Sequence, residues 1–302
     1  MLTLRLIKKN KDKIFFVGYI MIGLKEIVIV ILVIFLLFHK QILQYYDEIK
    51  YKGIIRGDVS EKRKDNLDYI PKVIYKTGID DYDKLPQRLK DIFKGNLKIN
   101  PNFTISYYSD KDSREFIRNN FSKDIISAYD KLIPGAYKAD MFRYCILYKN
   151  GGVYSDLTQR ILKPLETFID FKKDKLYLVK DLEHYKVNGE GSSKGIQISF
   201  IAARPGNDIF LKAIRRIVKN VKDKYYGYNA LYPTGPSLFY HLLKDYKEEY
   251  KIGLKETGQN KIVNENDETI IISKIVDHQQ NILRNKDHYT VLWSNRRIYK
   301  SI

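Results

Sequence analysis

The segment from Tyr137 to Asp156 (YKADMFRYCILYKNGGVYSD) constrains the fold more than any other stretch of the 302-residue chain. Glycine takes up the left-handed backbone that ends helices, so Gly151-Gly152 predicts a helix turning sharply into the short strand that follows. The helix is rich in Met141, Phe142, Tyr144, Cys145, Ile146 and Leu147, which predicts a buried element. Asp140 and Arg143, at i and i+3, lie on one side of it. An acid and a guanidinium in a buried helix need partners, whereas an exposed pair would be a salt bridge of little worth. Asp156 closes the strand at its C-terminal end, where parallel-sheet enzymes place their ligands, although a turn-initiating aspartate has the same local signature. Three charged groups from two adjacent elements mark a candidate site.

Sugar hydroxyls are suitable partners for this set, because a carboxylate accepts hydrogen bonds and a guanidinium donates them in a fork. Gly151 and Gly152 let a ligand lie close to the backbone. Asp156 suits ribose hydroxyls or a hard divalent cation such as magnesium or manganese.

Around this core the chain alternates strand and helix signals. Strands are expected at 73–75, 103–108, 176–179, 196–202, 269–273 and 289–293. Helices are expected from Pro86 to about Phe93, with Gly95-Asn96 as the stop, then from Ser109-Asp110 to Phe121, over 124–132, and over 207–221. A further helix opens at Thr234-Gly-Pro236, whose free N–H groups suit an anion. Alternation of this kind indicates an α/β domain with a largely parallel sheet.

Ile27–Phe38 (IVIVILVIFLLF) is an apolar run short of the ~20 residues a spanning helix needs. A second apolar stretch from Ile14 to Leu24 precedes it across Lys25-Glu26, and no small-residue cleavage site follows Phe38. Residues 14–38 are therefore expected to form an uncleaved transmembrane anchor. Lys8, Lys9, Lys11 and Lys13 on the cytosolic side make this a single-pass type II arrangement with the remainder luminal or otherwise non-cytosolic. Residues 39–68 read as a stem and 69–302 as the folded domain. The formal charge of +18 invites nucleic acid, but the basic residues are scattered, with no arginine-rich arm and no zinc-finger spacing, so no nucleic-acid partner is expected. The one cysteine, Cys145, excludes an internal disulfide and reads as packing.

The order IPKVIY (70–75), YKADMFRYCILYKNGGVYSDL (137–157), ISFIAARPGN (198–207) and TGPS (234–237) resembles glycosyltransferase family 32. These are the "DXD-motif" sugar-binding-region transferases, including yeast α-mannosyltransferases and capsular polysaccharide enzymes. The resemblance spans roughly residues 69 to 240. It implies a GT-A-like, Rossmann-type mixed sheet flanked by helices that binds a nucleotide-sugar donor. It implies transfer of a hexose, with retention, to a glycan, protein or lipid acceptor. Asp140 and Arg143 would hold donor-sugar hydroxyls, and Asp156 the ribose and a cation at the diphosphate. Tyr75, after the first strand, reads either as an aromatic platform for the base or as a core tyrosine, and Gly151, Gly152 and Tyr154 complete the donor pocket. The second acid of D-x-D is here Thr158. One carboxylate fewer weakens a hard-cation site. The Thr158 hydroxyl or a water would then serve beside Asp156 as a metal ligand, with Asp181 or Glu183 contributing, or Arg160 or Lys163 would neutralise the diphosphate. The alternative is a degenerate protein that binds sugar nucleotide or glycan without turnover. His288, Tyr289 and Trp293 resemble the family's closing segment.

Overall fold

The computed structural model describes residues 67–182, 195–227, 229–273 and 288–300, with short pieces at 2–3, 21–22, 25, 28–29, 31–33, 38 and 54–56. The chain divides into two compact units, Met1–Lys52 and Gly53–Ile302. In the first, β1 (Leu2–Thr3) pairs antiparallel with β2 (Met21–Ile22). Most of the expected anchor at 14–38 lies outside the described residues, and among those described no helix is long and apolar enough to cross a membrane.

The second unit is built on one mixed sheet. It opens with β3 (Ile54–Arg56), within the stretch read as stem, and β4 (Val73–Thr77). Then come α1 (Gln87–Ile99), β5 (Thr104–Tyr108), α2 (Asp110–Asn120), α3 (Lys123–Lys131), α4 (Gly135–Asn150) and β6 (Gly152–Ser155). After β7 (Arg160–Ile161) follow β8 (Leu176–Lys180), β9 (Ile196–Ala203), α5 (Asp208–Lys222) and α6 (Pro236–Leu243). The last elements are β10 (Lys251–Glu256), β11 (Lys261–Val263), β12 (Thr269–Ile272) and α7 (Tyr289–Ser294).

The strand order is β3-β5-β4-β6-β9-β8-β10-β11-β12-β7. The β3-β5-β4-β6 half is parallel throughout. Beyond it, β9 runs antiparallel to both β6 and β8, and every pairing outward from β10 is antiparallel, only β8–β10 being parallel. The expectation of a largely parallel sheet thus holds for one half alone. The short returns β10–β11 and β11–β12 need no crossover helix, and so left no helical period to read.

Helix α4 is buried on all sides from Asp140 to Leu147, Asp140 and Arg143 included. Tyr144 stacks on Phe239 of α6 at 5.5 Å and 7°, with Phe210 of α5 stacked beside both. Gly151 (φ 65°) ends α4 through its N–H to the Leu147 carbonyl. Gly152 (φ 96°) starts β6 where a Cβ would stand 2.9 Å from Val73 O and from the Tyr75 ring. Gly152→Ala combines a forbidden backbone with overpacking, so it should cost at least about 2 kcal/mol. A denaturation midpoint equal to that of the unaltered protein would refute this tight turn.

Two element readings are corrected. The α1 helix runs through Gly95-Asn96 to Ile99. Asn96 points inward instead of stopping it: its amide donates to Gln159 O (3.0 Å) and its oxygen accepts from Ile161 N (2.9 Å). Residues 289–293 form helix α7 rather than a strand, because His288 caps the Thr290 N–H and Leu292 turns into the core.

Candidate functional site

A cavity of about 550 Å³ opens at the C-terminal end of β6. Asp140 and Arg143 from α4, Asp156, Gln197 and Ser199 from β9, and Glu256 from β10 are on its wall. A larger cavity, about 690 Å³, lies by Glu166, Tyr177 and Lys251; the acid it holds against Lys72, Glu166, is largely exposed, so no buried charge is committed there.

Arg143 is the hub. Its guanidinium contacts the Asp140 carboxylate at 3.1 Å and the Asp156 carboxylate at 3.4 Å. It donates to Ile198 O of β9, and its plane lies 4.4 Å over the Tyr154 ring. Burial alone would lower its proton affinity; the Tyr154 oxygen, Asp156 and Asp140 outweigh that and hold it firmly charged. Asp140 is 8 % exposed. Burial pushes its carboxyl up to about 6, against the pull of Arg143 and of the hydrogen bond from Thr234 Oγ1, with Asp156 adding to the rise. The Thr234 bond is 2.7 Å long. Gly235 stands so close that a Cβ there would meet Asp140 Oδ2 at 3.2 Å. The Thr-Gly-Pro motif therefore serves Asp140, a role its spacing in the sequence did not disclose.

Asp156 is held by its backbone. Its N–H donates to Ser199 O (2.9 Å), and its carbonyl accepts from Lys76 Nζ (2.9 Å). Lys76 is fully buried beneath the turn, also donating to Ser155 Oγ (3.1 Å) and Gln159 O (3.4 Å). Burial lowers its ammonium to about 7, with Asp156 pulling the other way. A lone lysine one residue past Tyr75 carries no sequence signal of such a post.

The structure gathers Asp140, Arg143 and Asp156 as expected, with Tyr154 as a platform beneath Arg143. Gly151 and Gly152 shape the turn and are buried, away from the cavity wall. Tyr75 is 1 % exposed, packed 6.3 Å from Tyr108, so it offers no face to a base; the aromatic signal there is core packing. Lys163 is engaged by Glu268 at 2.5 Å, and Arg160 lines a different cavity. Tyr289 reaches the wall, whereas the Trp293 indole donates to Tyr226 O (2.7 Å). Cys145 is buried packing. Asp181 is on the wall, and Glu183 lies outside the described residues.

The donor set for a divalent cation is thin. Asp156 already faces Arg143, and Thr158, half-buried in the turn, is not on the wall. Among the described residues no three His, Cys, Asp or Glu side chains are grouped to hold an ion. These residues do not fit a cation held by the protein alone.

A family model described as a glycosyltransferase sugar-binding region containing DXD motif matches residues 86–175. A protein of Acanthamoeba polyphaga mimivirus named as an uncharacterized glycosyltransferase is 28% identical over 59% of this chain and 66% of its own length. An initiation-specific alpha-1,6-mannosyltransferase of Schizosaccharomyces pombe is 26% identical over 59% of this chain and 48% of its own. The chain thus spans less than two thirds of the length of these relatives. A solved structure titled PaToxG glycosyltransferase aligns over 68% of this chain and 75% of that one, at 17% identity and a TM-score of 0.43.

Proposed function

We propose that the chain is a glycosyltransferase with a DXD-containing sugar-binding region, which the match over residues 86–175 and the relatives support, and that it moves a hexose from a nucleotide-sugar to an acceptor hydroxyl. The observation that carries this reading is Arg143 clamped between Asp140 and Asp156 on a cavity wall. We read the sheet as GT-A-like. Asp140 accepts hydrogen bonds from the sugar hydroxyls, Arg143 donates to them, and Asp156 takes the ribose. Gly151, Gly152 and Tyr154 act from behind by shaping and backing this wall.

In the reaction, the acceptor oxygen bonds to the anomeric carbon as the bond from that carbon to the diphosphate oxygen breaks. The electron pair leaves with the nucleoside diphosphate, which takes the acceptor's proton. Attack from the leaving-group face retains configuration. The residues contribute by orienting the donor and by charge at the site. A divalent cation associated with the diphosphate would find one carboxylate here, Asp156. The domain is read as 69–302, its sheet extended by β3 from the stretch at 39–68, behind an N-terminal anchor at 14–38 and facing the lumen of the secretory pathway or another non-cytosolic space. The apolar run at 27–38 and the lysines before it support that arrangement.

A panel of nucleoside-diphosphate hexoses, incubated with and without manganese, tests the reading through donor hydrolysis. At least one donor should be cleaved, and cleavage should weaken yet persist after chelation. A donor bound without turnover selects the degenerate binding protein, which Thr158 favours. No donor bound at all overturns the reading.

A further inference from the structure

A single chain of side-chain hydrogen bonds crosses the sheet beneath the cavity. Lys76 Nζ of β4 donates to Ser155 Oγ of β6 (3.1 Å), which donates to Gln159 Oε1 (2.9 Å). Gln159 Nε2 donates to Ser199 Oγ of β9 (2.8 Å), and that hydroxyl donates to Gln197 Oε1 (2.7 Å). Gln197 Nε2 donates to Glu256 Oε2 at the end of β10 (2.9 Å). A carboxylate only accepts, so the Glu256 end fixes both amides and every hydroxyl in one direction back to Lys76 Nζ. Links aligned this way polarise and strengthen one another. The chain therefore aims Glu256, with its partly exposed carboxylate on the cavity wall.

That position does not suit the donor. Following the strand order, β10 is the third strand from β6, roughly 14 Å away at the usual strand spacing. Arg143 is the one Lys or Arg among the described residues on the wall, and Asp140 and Asp156 already share it. The nearby Lys255 is engaged by Asp267 at 2.7 Å. No cation on the wall offsets Glu256, so a diphosphate there would be repelled, whereas a neutral hydroxyl would find a strong acceptor.

Resting on the transferase reading above, we propose that Glu256 is the acceptor-recognition residue. It accepts a hydrogen bond from an uncharged polyhydroxyl acceptor and rejects phosphorylated or otherwise anionic ones. Gln197 is its positioning residue. This gives the site a polarity that the strongly basic chain as a whole does not suggest: the acceptor end is acidic.

The test compares methyl α-mannoside with mannose 6-phosphate as acceptor probes for the full chain and for Glu256→Gln, which still accepts from Gln197 and so preserves the fold. The KM for the mannoside should rise about tenfold or more, as loss of a charge-assisted hydrogen bond gives, against a much smaller change in donor KM. The preference for mannoside over the phosphate should narrow in the variant, a change that simple loosening would not produce. Gln197→Leu should move both readouts the same way by less. Ligand-observed NMR binding of the same two probes reads the acceptor subsite even if no donor is turned over, which separates failure of this proposal from failure of the donor reading. An unchanged mannoside KM or binding, an unchanged preference, or donor KM rising in step would each overturn it.

Discussion

Arg143→Met is expected to destroy activity and to unsettle the fold together. The guanidinium is the partner of two carboxylates, a β9 carbonyl and the Tyr154 ring. Removing one member of a buried ion pair leaves the other charge uncompensated, which typically costs about 3–5 kcal/mol. Asp140 is the charge left behind, and its response is to take up a proton. The variant should therefore melt well below the parent at neutral pH and recover part of the difference near pH 4, where a neutral Asp140 needs no partner. Transfer should fall more than about a hundredfold, or about 2.7 kcal/mol of transition-state stabilisation. Thermal melts at the two pH values, beside turnover, check this. A variant as stable as the parent at neutral pH would mean that Arg143 is not the counterion of Asp140.

Asp140→Asn should separate the two effects. Asparagine keeps the shape and can still accept from Thr234 or Arg143, so the pocket stays assembled. Its stability carries a defined sign. The folded carboxyl sits at about 6, above its ordinary value of 3.8. Between those values the folded chain binds more protons than the unfolded one, so this group's contribution falls as pH rises from about 4 to about 6. The parent should lose stability relative to Asp140→Asn across that window, by up to about 3 kcal/mol at 1.36 kcal/mol per unit. Above pH 6 the asparagine variant should be no less stable than the parent. Activity should move the other way, because a neutral amide is a weaker acceptor of sugar hydroxyls. Transfer is expected to drop at least about a hundredfold, again about 2.7 kcal/mol, and the acid limb of the parent's pH profile near 6 should vanish with the carboxylate. A variant that is both active and pH-independent would contradict the assignment.

The contrast between these variants follows from what was legible in the chain. Asp140, Arg143 and Asp156 fall within one helix–glycine–strand unit, so local periodicity alone brings them together. Glu256 lines the same cavity, and Thr234 and Lys76 brace its residues from behind, all from elements distant in sequence that only the tertiary fold brings together. Thr234-Gly-Pro reads as a helix start and also holds the Asp140 carboxylate. Gly95-Asn96 reads as a helix stop, yet Asn96 has buried backbone partners in the segment after β6 that let the helix run on. Tyr75 shows the opposite failure. An aromatic after a strand looks like a base platform, but Gly152 packs against its ring and leaves it in the core. The mixed half of the sheet was the least legible, since short antiparallel strands carry a weak period and their order is set by pairing.

The most direct test is a calorimetric comparison of a nucleotide-sugar with its bare nucleoside diphosphate, on the parent and on Asp140→Asn. If Asp140 and Arg143 hold the donor sugar, the parent binds the nucleotide-sugar more tightly than the diphosphate alone. The variant should lose that increment while retaining its affinity for the diphosphate. Equal affinity of parent and variant for the nucleotide-sugar would contradict the account.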